Sequence, residues 1–433
     1  MPPSFAETVR TFLKIGLLSF GGPSGQIALM HRVLVEEKRW VDEARFLNGL
    51  NFCMLLPGPE AMQLATYIGW LLHGVGGGVV AGLLFVLPGF LVILALSVAY
   101  ALFQGQIWFV SLFFGLKAAV LAVVIEALLR VARRSLKTRG AYLIAGLSFL
   151  SLFLFQVPFP LVILGAGVAG YVIARAHPQW LGISGGGGDP ISAPAGGWSA
   201  ALRVLVVWGG LWLAAFGVVH GVFGGSSLYA ALTLFFSKMA VVTFGGAYAV
   251  LAYVAQAAVE TFHWLKPGEM IDGLALAETT PGPLILVLTF VGFQAAYRDP
   301  GILSPLAGGV FGAVVTTWVT FIPCFLWIFL GAPYIEKLRQ NKALTGALAA
   351  IGAAVVGVIL NLSLWFFLQT LFRQVEAVTA GPFALSLPVL SSLDPLALVL
   401  ALLAGVMLLR LHLGMVTVLA VCSGLGAGLK MLI

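Results

Sequence analysis

Charge is what this chain lacks. Of its 433 residues only 9% are Asp, Glu, Lys or Arg, against 61% hydrophobic ones, whereas soluble domains carry roughly 25% charged residues. That balance excludes a soluble enzyme. Cysteine is scarce as well. Cys53, Cys324 and Cys422 lie far apart inside apolar segments, with no CxxC or Cys/His spacing, which argues against a disulfide framework or a zinc site. The six histidines (His31, His73, His177, His220, His263 and His412) are scattered, mostly near the ends of apolar segments, where interfacial or packing roles suit them. The chain shows no Ser/His/Asp constellation, metal-ligand cluster or dinucleotide fingerprint, so no catalytic residue, metal or cofactor is expected. Residues Met1–Arg10 carry Glu7 and no small-residue cleavage pattern, so no cleavable signal peptide is expected.

What fills the chain is apolar sequence. Mean hydropathy is +1.06, and apolar stretches of 17 residues or more recur along nearly the whole length. Each is long enough to cross about 30 Å of hydrocarbon. The expected fold class is an all-α polytopic membrane protein, with membrane lipid as its surroundings. The 53 glycines and 21 prolines fit this class, because neighbouring helices re-satisfy the backbone groups they free. The formal charge of +7 sits mainly in short loops, so it reports orientation and predicts no nucleic-acid partner. A homodimer is compatible with the sequence.

The most informative pattern is a repeat. Phe20-Gly21-Gly22, Trp40 and Pro57-Gly58-Pro59 recur 224 residues later as Phe244-Gly245-Gly246, Trp264 and Pro281-Gly282-Pro283. At that offset Phe12–Leu64 shows 15 identities in 53 positions, among them Lys14/Lys238, Glu36/Glu260 and Gly49/Gly273. Downstream, Pro88 in FVLPGF matches Pro323 in FIPCF after an insertion of about 11 residues. The expected organisation is an N-terminal repeat over 1–139, connecting spans over 140–234 with a Gly-rich linker at 180–198, a C-terminal repeat over 235–368, and further spans over 369–433. Apolar segments are expected at Glu60–Leu72 and Val75–Leu102, among others. The glycine run at Gly74–Gly78 reads as a bend at a helix start, since no strand precedes it and no Gly-Lys-Ser/Thr follows.

Loop charge orients the halves. Arg130–Arg139 holds five Lys/Arg and no acid, and is expected to be cytoplasmic. Arg32–Arg45 holds four Lys/Arg, whereas its repeat mate Gln256–Glu269 holds only Lys266. The same element is base-rich in one half and base-poor in the other, which predicts inverted-topology repeats. The N-terminus is then cytoplasmic and the C-terminus periplasmic. The Gly/Pro motifs make broken or re-entrant helices. Each arm of about 13 residues reaches roughly 20 Å, too short to span alone.

Paired interruptions of this kind point to the binding site of a secondary transporter. A helix starting inside the membrane aims unpaired backbone N–H groups outward, which favours an anion. Gly21, Gly22 and Pro23 let the chain turn, and Ser24 is a candidate cap for the helix that follows. Pro57, Gly58, Pro59 and Gln63 serve the second break, with Gly245, Gly246, Thr280, Pro281, Gly282 and Pro283 as their counterparts in the other half. A helix end contributes only ~0.3–1 kcal/mol, about 2 when partly buried, while desolvating an ion costs several. Fixed positive charge is therefore expected nearby, from the repeat pair Lys14 and Lys238 or from Lys117. Snorkelling is the alternative for the pair, and an ion pair with Glu126 the alternative for Lys117. Glu60 and Glu278 break the symmetry, their repeat mates being Leu284 and Met54. Intramembrane carboxylates are rare and usually functional, so both are candidates for proton coupling. Helix-terminus roles are the alternatives.

The stretches SFGGPSGQIALMHRVLVEEKRW, LLPGPEAMQLATYIGWLL, VTFGGAYAVLAYVAQ and DGLALAETTPGPLILVLTFVGF resemble the chromate ion transporter family, in its long-chain, two-domain form. Met62 departs from that pattern, which has a polar residue there. The resemblance implies efflux of chromate across the bacterial inner membrane by a multi-pass carrier driven by protons, with sulfate as a mimic. Independently, a dianion leaving a negative interior gains ~4.6 kcal/mol at 100 mV, so export is the cheaper direction. Competing readings are a sulfate or molybdate carrier, a membrane-embedded enzyme acting on phosphate groups, and an anion channel.

Overall fold

A computed structural model of the chain describes residues 3–182, 197–244, 247–334, 341–380 and 383–432. Most of the expected Gly-rich linker, together with Gly245 and Gly246, lies outside the described residues. In chain order the helices of the first half are α1 (Phe5–Leu18), α2 (Gly22–His31), α3 (Glu43–Cys53), α4 (Glu60–Phe103), α5 (Ile107–Ser135), α6 (Arg139–Phe155) and α7 (Phe159–Ala176). Then come α8 (Trp198–Phe223), α9 (Leu228–Val242), α10 (Ala247–Gln256), α11 (Pro267–Thr279), α12 (Val287–Arg298) and α13 (Pro305–Gly331). The chain closes with α14 (Lys342–Leu371), α15 (Pro395–Gly405) and α16 (Met415–Leu432). Six of these helices are long and apolar enough to cross a membrane. The chain is an all-α polytopic membrane protein.

Helix α4 is really two helices. His73 (φ −140°, ψ 26°) and Gly74 (φ 63°, ψ −155°) leave helical geometry, between the expected segments Glu60–Leu72 and Val75–Leu102. The positive φ at residue 74 needs glycine. One element was not anticipated: an antiparallel hairpin of β1 (Val375–Ala380) and β2 (Phe383–Pro388) between α14 and α15. Val375–Ala380 reads apolar, polar, apolar, apolar, polar, apolar, without the strict alternation that marks a half-buried strand, so the pattern of residues did not announce it.

The chain forms two compact units, and each draws on both halves. The first comprises residues 1–102, 187–247 and 276–340, and so contains α1–α4, α8, α9, α12 and α13. Its core is aromatic and aliphatic: Trp208 of α8 stacks on Phe325 of α13 at 4.9 Å, and the Trp318 indole N–H donates to Leu211 O at 2.8 Å. Pairing the indole donor with a carbonyl matters in hydrocarbon, where no water can take its place. The second unit comprises residues 103–186, 248–275 and 341–433, and so holds α5–α7, α14–α16, the hairpin and most of α10 and α11. Its helices approach through small residues. A side chain at Gly115 would strike the Cys422 carbonyl of α16, and one at Gly170 the Gly346 carbonyl of α14, the close contact by which membrane helices gain dispersion energy.

Candidate functional site

Four interruptions flank the motifs, and three of them lie wholly in described residues. Helix α1 ends at Ser19 with φ −77° and ψ 66°; α9 ends at its repeat mate Thr243 with φ −77° and ψ 72°. Both are inverse γ-turns, closed by Phe20 N–H on Leu18 O and Phe244 N–H on Val242 O, each at 2.9 Å. Each hydroxyl folds back onto the carbonyl four residues earlier, Ser19 onto Ile15 and Thr243 onto Met239. The chain then turns through Gly21 (φ 87°) and Gly22 (φ 68°) into α2. Gly21 occupies the N-cap, so Ser24 is not the cap the sequence suggested; it lies within the first turn. Gly22 is buried, yet a Cβ built on it would meet no described atom within 4 Å beyond its own helix and chain neighbours.

The two halves cross over. The Gly58 N–H of the first PGP donates to Thr243 O at 2.8 Å, and the Gly282 N–H of the second donates to Ser19 O at 2.9 Å. Under the 224-residue offset these are one contact made twice with the partners exchanged. The pairing is reciprocal, as in an isologous contact. A second layer repeats the exchange. A side chain at Gly89, next to Pro88 of α4, would strike the Pro281 carbonyl; Cys324, next to Pro323 of α13, stands 2.9 Å from where a Gly58 Cβ would lie. Each long helix thus abuts the other half's PGP turn.

Two glutamines tie down these turns. Gln26 of α2, 1% exposed, donates its amide N–H to Gly282 O at 2.6 Å and to Ser19 O at 3.4 Å. Gln63 of α4, fully buried, donates to Pro57 O at 2.7 Å. With each NH2 fixed on a carbonyl, the amide orientation is determined by its partners. The opposite oxygen, Oε1, is buried in both residues with no hydrogen-bond partner.

The other expected residues divide. Pro57, Pro59, Pro281 and Pro283 are buried at the turns, and Pro23 is half-buried at the start of α2. Thr280 is buried, its hydroxyl donating to Ala277 O at 2.9 Å. Met62 is buried too, and the Thr66 hydroxyl contacts its sulfur at 3.7 Å. Glu278 is 2% exposed at the end of α11, and Glu60 is half-buried at the first residue of α4. The cations lie as follows. Lys14 and Lys238 are both exposed, because the buried stripe of α1 runs through Phe12, Ile15 and Gly16 and that of α9 through Phe235, Phe236 and Met239. Lys117 lies in the second unit and bonds Asp272 at 3.2 Å, not Glu126, which pairs one helical turn on with Arg130. Asp272, 3% exposed, went unnoticed in the sequence because its partner is distant along the chain.

Sequence reasoning also passed over Ser19, Gln26, Gly89, Thr243 and Cys324. The repeat offset pairs Ser19 with Thr243, both hydroxyl residues, and the Pro88/Pro323 match pairs Gly89 with Cys324. Those signals were readable. Gln26, facing Val250 in the repeat, had none.

Among known proteins, the family described as chromate transporter matches residues 6–171 and 230–427. The chromate transport protein of Pseudomonas aeruginosa is 34% identical over 83% of this chain and 80% of its own length. That of Cupriavidus metallidurans is 31% identical over 82% of this chain and 80% of its own. A probable chromate transport protein of Synechococcus elongatus is 29% identical over 93% of this chain and 95% of its own. No solved structure matches the chain.

Proposed function

Because the chain belongs to the chromate transporter family, we propose that it is a secondary carrier exporting chromate from the cell by proton-coupled antiport. The observation that carries this reading is the reciprocal pair of hydrogen bonds joining the broken segments of the two repeats, Gly58 to Thr243 and Gly282 to Ser19. Broken helices held together by two related halves are how secondary transporters build a site that either half can uncover. In alternating access the halves rock about these ties. The candidate substrate site is the FGG and PGP backbone with Gln63 and Thr280, and sulfate is a mimic of the same shape. The base-rich Arg32–Arg45 loop and its base-poor counterpart support inverted repeats, an inner-membrane setting and a cytoplasmic N-terminus. Each negative charge leaving a negative interior gains ~2.3 kcal/mol per 100 mV, which favours export. Glu278, buried beside the second PGP turn, is the first candidate for exchanging the proton, and Glu60 the second.

The test is chromate counterflow in proteoliposomes at two internal pH values. Labelled chromate should exchange, and a pH gradient should accelerate net flux. Glu278→Gln should keep counterflow and lose the gradient effect; a gradient effect that survives in both Glu278→Gln and Glu60→Gln would remove these carboxyls from coupling. Absence of counterflow would sink the carrier reading. Lys38→Cys and Lys266→Cys should label from opposite membrane faces, and labelling from one face would refute inverted repeats.

A further inference from the structure

The two crossings between the repeats are built differently, and two glutamines make the difference. At the second PGP turn both backbone groups of Gly282 are held by the first repeat. Its N–H donates to Ser19 O at 2.9 Å, and its carbonyl accepts from the Gln26 amide at 2.6 Å. Gln26 also reaches Ser19 O at 3.4 Å, so the brace of this turn stands on the opposite repeat. At the first PGP turn the Gly58 N–H donates to Thr243 O at 2.8 Å. Here the bracing glutamine belongs to the same repeat as the turn: Gln63 donates to Pro57 O at 2.7 Å, six residues away. The 224-residue offset sets Val250 against Gln26 and Val287 against Gln63. Valine has no side-chain donor, so neither brace is duplicated in the second repeat.

The consequence is mechanical. Among the described residues, parting the Gly282 crossing breaks two amide–carbonyl hydrogen bonds between the repeats and strips the turn of its brace. The buried Gly282 carbonyl is then left without Gln26, and an unpaired buried acceptor costs more than the net worth of the bond it lost. Parting the Gly58 crossing breaks one such bond and a contact of the Cys324 thiol with Gln63, which is a weak hydrogen bond. Gln63 meanwhile keeps the first turn in shape from within its own repeat. We propose that Gln26 is a positioning residue that makes the Gly282 crossing the fixed pivot of the carrier cycle, the Gly58 crossing being the one that parts. This rests on the carrier reading and says which tie holds while the repeats rock.

The test is amide hydrogen exchange of the full-length protein in lipid nanodiscs, read by mass spectrometry with fragmentation, alongside chromate counterflow in proteoliposomes. Proline carries no N–H, so Gly58 and Gly282 hold the exchangeable backbone amides of their PGP turns. Both are buried, so neither exchanges without a local opening. Gly58 should exchange about two- to tenfold faster than Gly282, the factor that one more net hydrogen bond confers. Gln26→Val, which copies Val250, should raise exchange at Gly282 to the Gly58 level or above and leave Gly58 within about twofold. Its counterflow turnover should drop several-fold, with the half-saturating chromate concentration within about twofold of the parent's. Gln63→Val, which copies Val287, should instead speed exchange at Gly58 and spare Gly282. In the parent, Gly282 exchanging as fast as Gly58 or faster overturns the pivot, with no variant needed. A Gln26→Val protein whose half-saturation rises at unchanged turnover overturns it too, because Gln26 would then be a substrate contact. If the exchange ranking holds but the parent shows no chromate counterflow, it is the carrier reading that falls.

Discussion

Replacing Gly58 by alanine tests the crossed architecture, because the two PGP glycines occupy equivalent places but unequal surroundings. Gly58 has φ 123°, a conformation essentially restricted to glycine, and holding alanine there costs about 1–3 kcal/mol. Its new Cβ would lie 2.7 Å from Gln63 Nε2 and 2.9 Å from Cys324 Sγ, and relieving such overpacking costs typically ~1–3 kcal/mol. Any shift also weakens the bond to Thr243 O, worth about 0.5–1.5 kcal/mol. The three effects overlap, since one backbone movement relieves part of each, so about 3–5 kcal/mol is expected. Gly282 has φ 88°, and its Cβ would stand 3.2 Å from Leu286 Cδ1 and 3.4 Å from the Gly89 Cα. Alanine there carries mainly the left-handed backbone cost, about 1–2 kcal/mol. Thermal unfolding of the purified protein in detergent should therefore show Gly58→Ala to be the more damaging by about 2 kcal/mol. Adding Cys324→Gly, which copies the Gly89 arrangement of the other half, should recover part of that loss through relief of the sulfur contact. Equal effects at the two glycines, or no recovery in the double variant, would refute the reasoning.

Other outcomes follow from the same geometry. Lys14→Ala and Lys238→Ala, both at exposed positions, should leave chromate affinity within about twofold; a larger loss would bring these cations back to the site. Lys117→Met alone, or Asp272→Leu alone, should lower stability by about 1–3 kcal/mol, the buried-pair cost reduced for the partly exposed lysine, and the double variant should regain most of it. Single variants that melt like the parent would show the pair to be idle. Asp394 is subject to a desolvation that opposes ionisation, but N–H groups of Ala397 and Leu396 and the Arg373 guanidinium together hold its carboxyl below the usual range. A lowered folded value means the stabilisation is complete above the unfolded value and is lost as pH falls through the folded one. Unfolding followed at the hairpin and α15 should become easier on acidification below about pH 4, and Asp394→Asn should flatten that dependence; an unchanged profile would assign the acid sensitivity elsewhere.

Much of this protein was determined by the sequence alone. The shortage of charge and the recurrence of long apolar runs set the fold class, because a helix of about 20 apolar residues spans hydrocarbon with its whole backbone satisfied within itself. The offset of 224 residues set the repeat, and glycine and proline marked the breaks, because those residues cannot continue a helix unaided. The break in α4 was legible for the same reason. Only the tertiary structure decided which half's turn meets which half's helix, since hydrogen bonds from Gly58 to Thr243 and from Gly282 to Ser19 join residues 185 and 263 positions apart, and no local pattern encodes such a pairing. It also decided the fate of the charges. A lysine six residues before a break reads as a ligand in one dimension, but helical periodicity turned Lys14 and Lys238 outward, while a distant aspartate took Lys117. The glutamine oxygens belong to the same class: a polar side chain becomes an unmet acceptor only when packing has fixed its amide and shut out water.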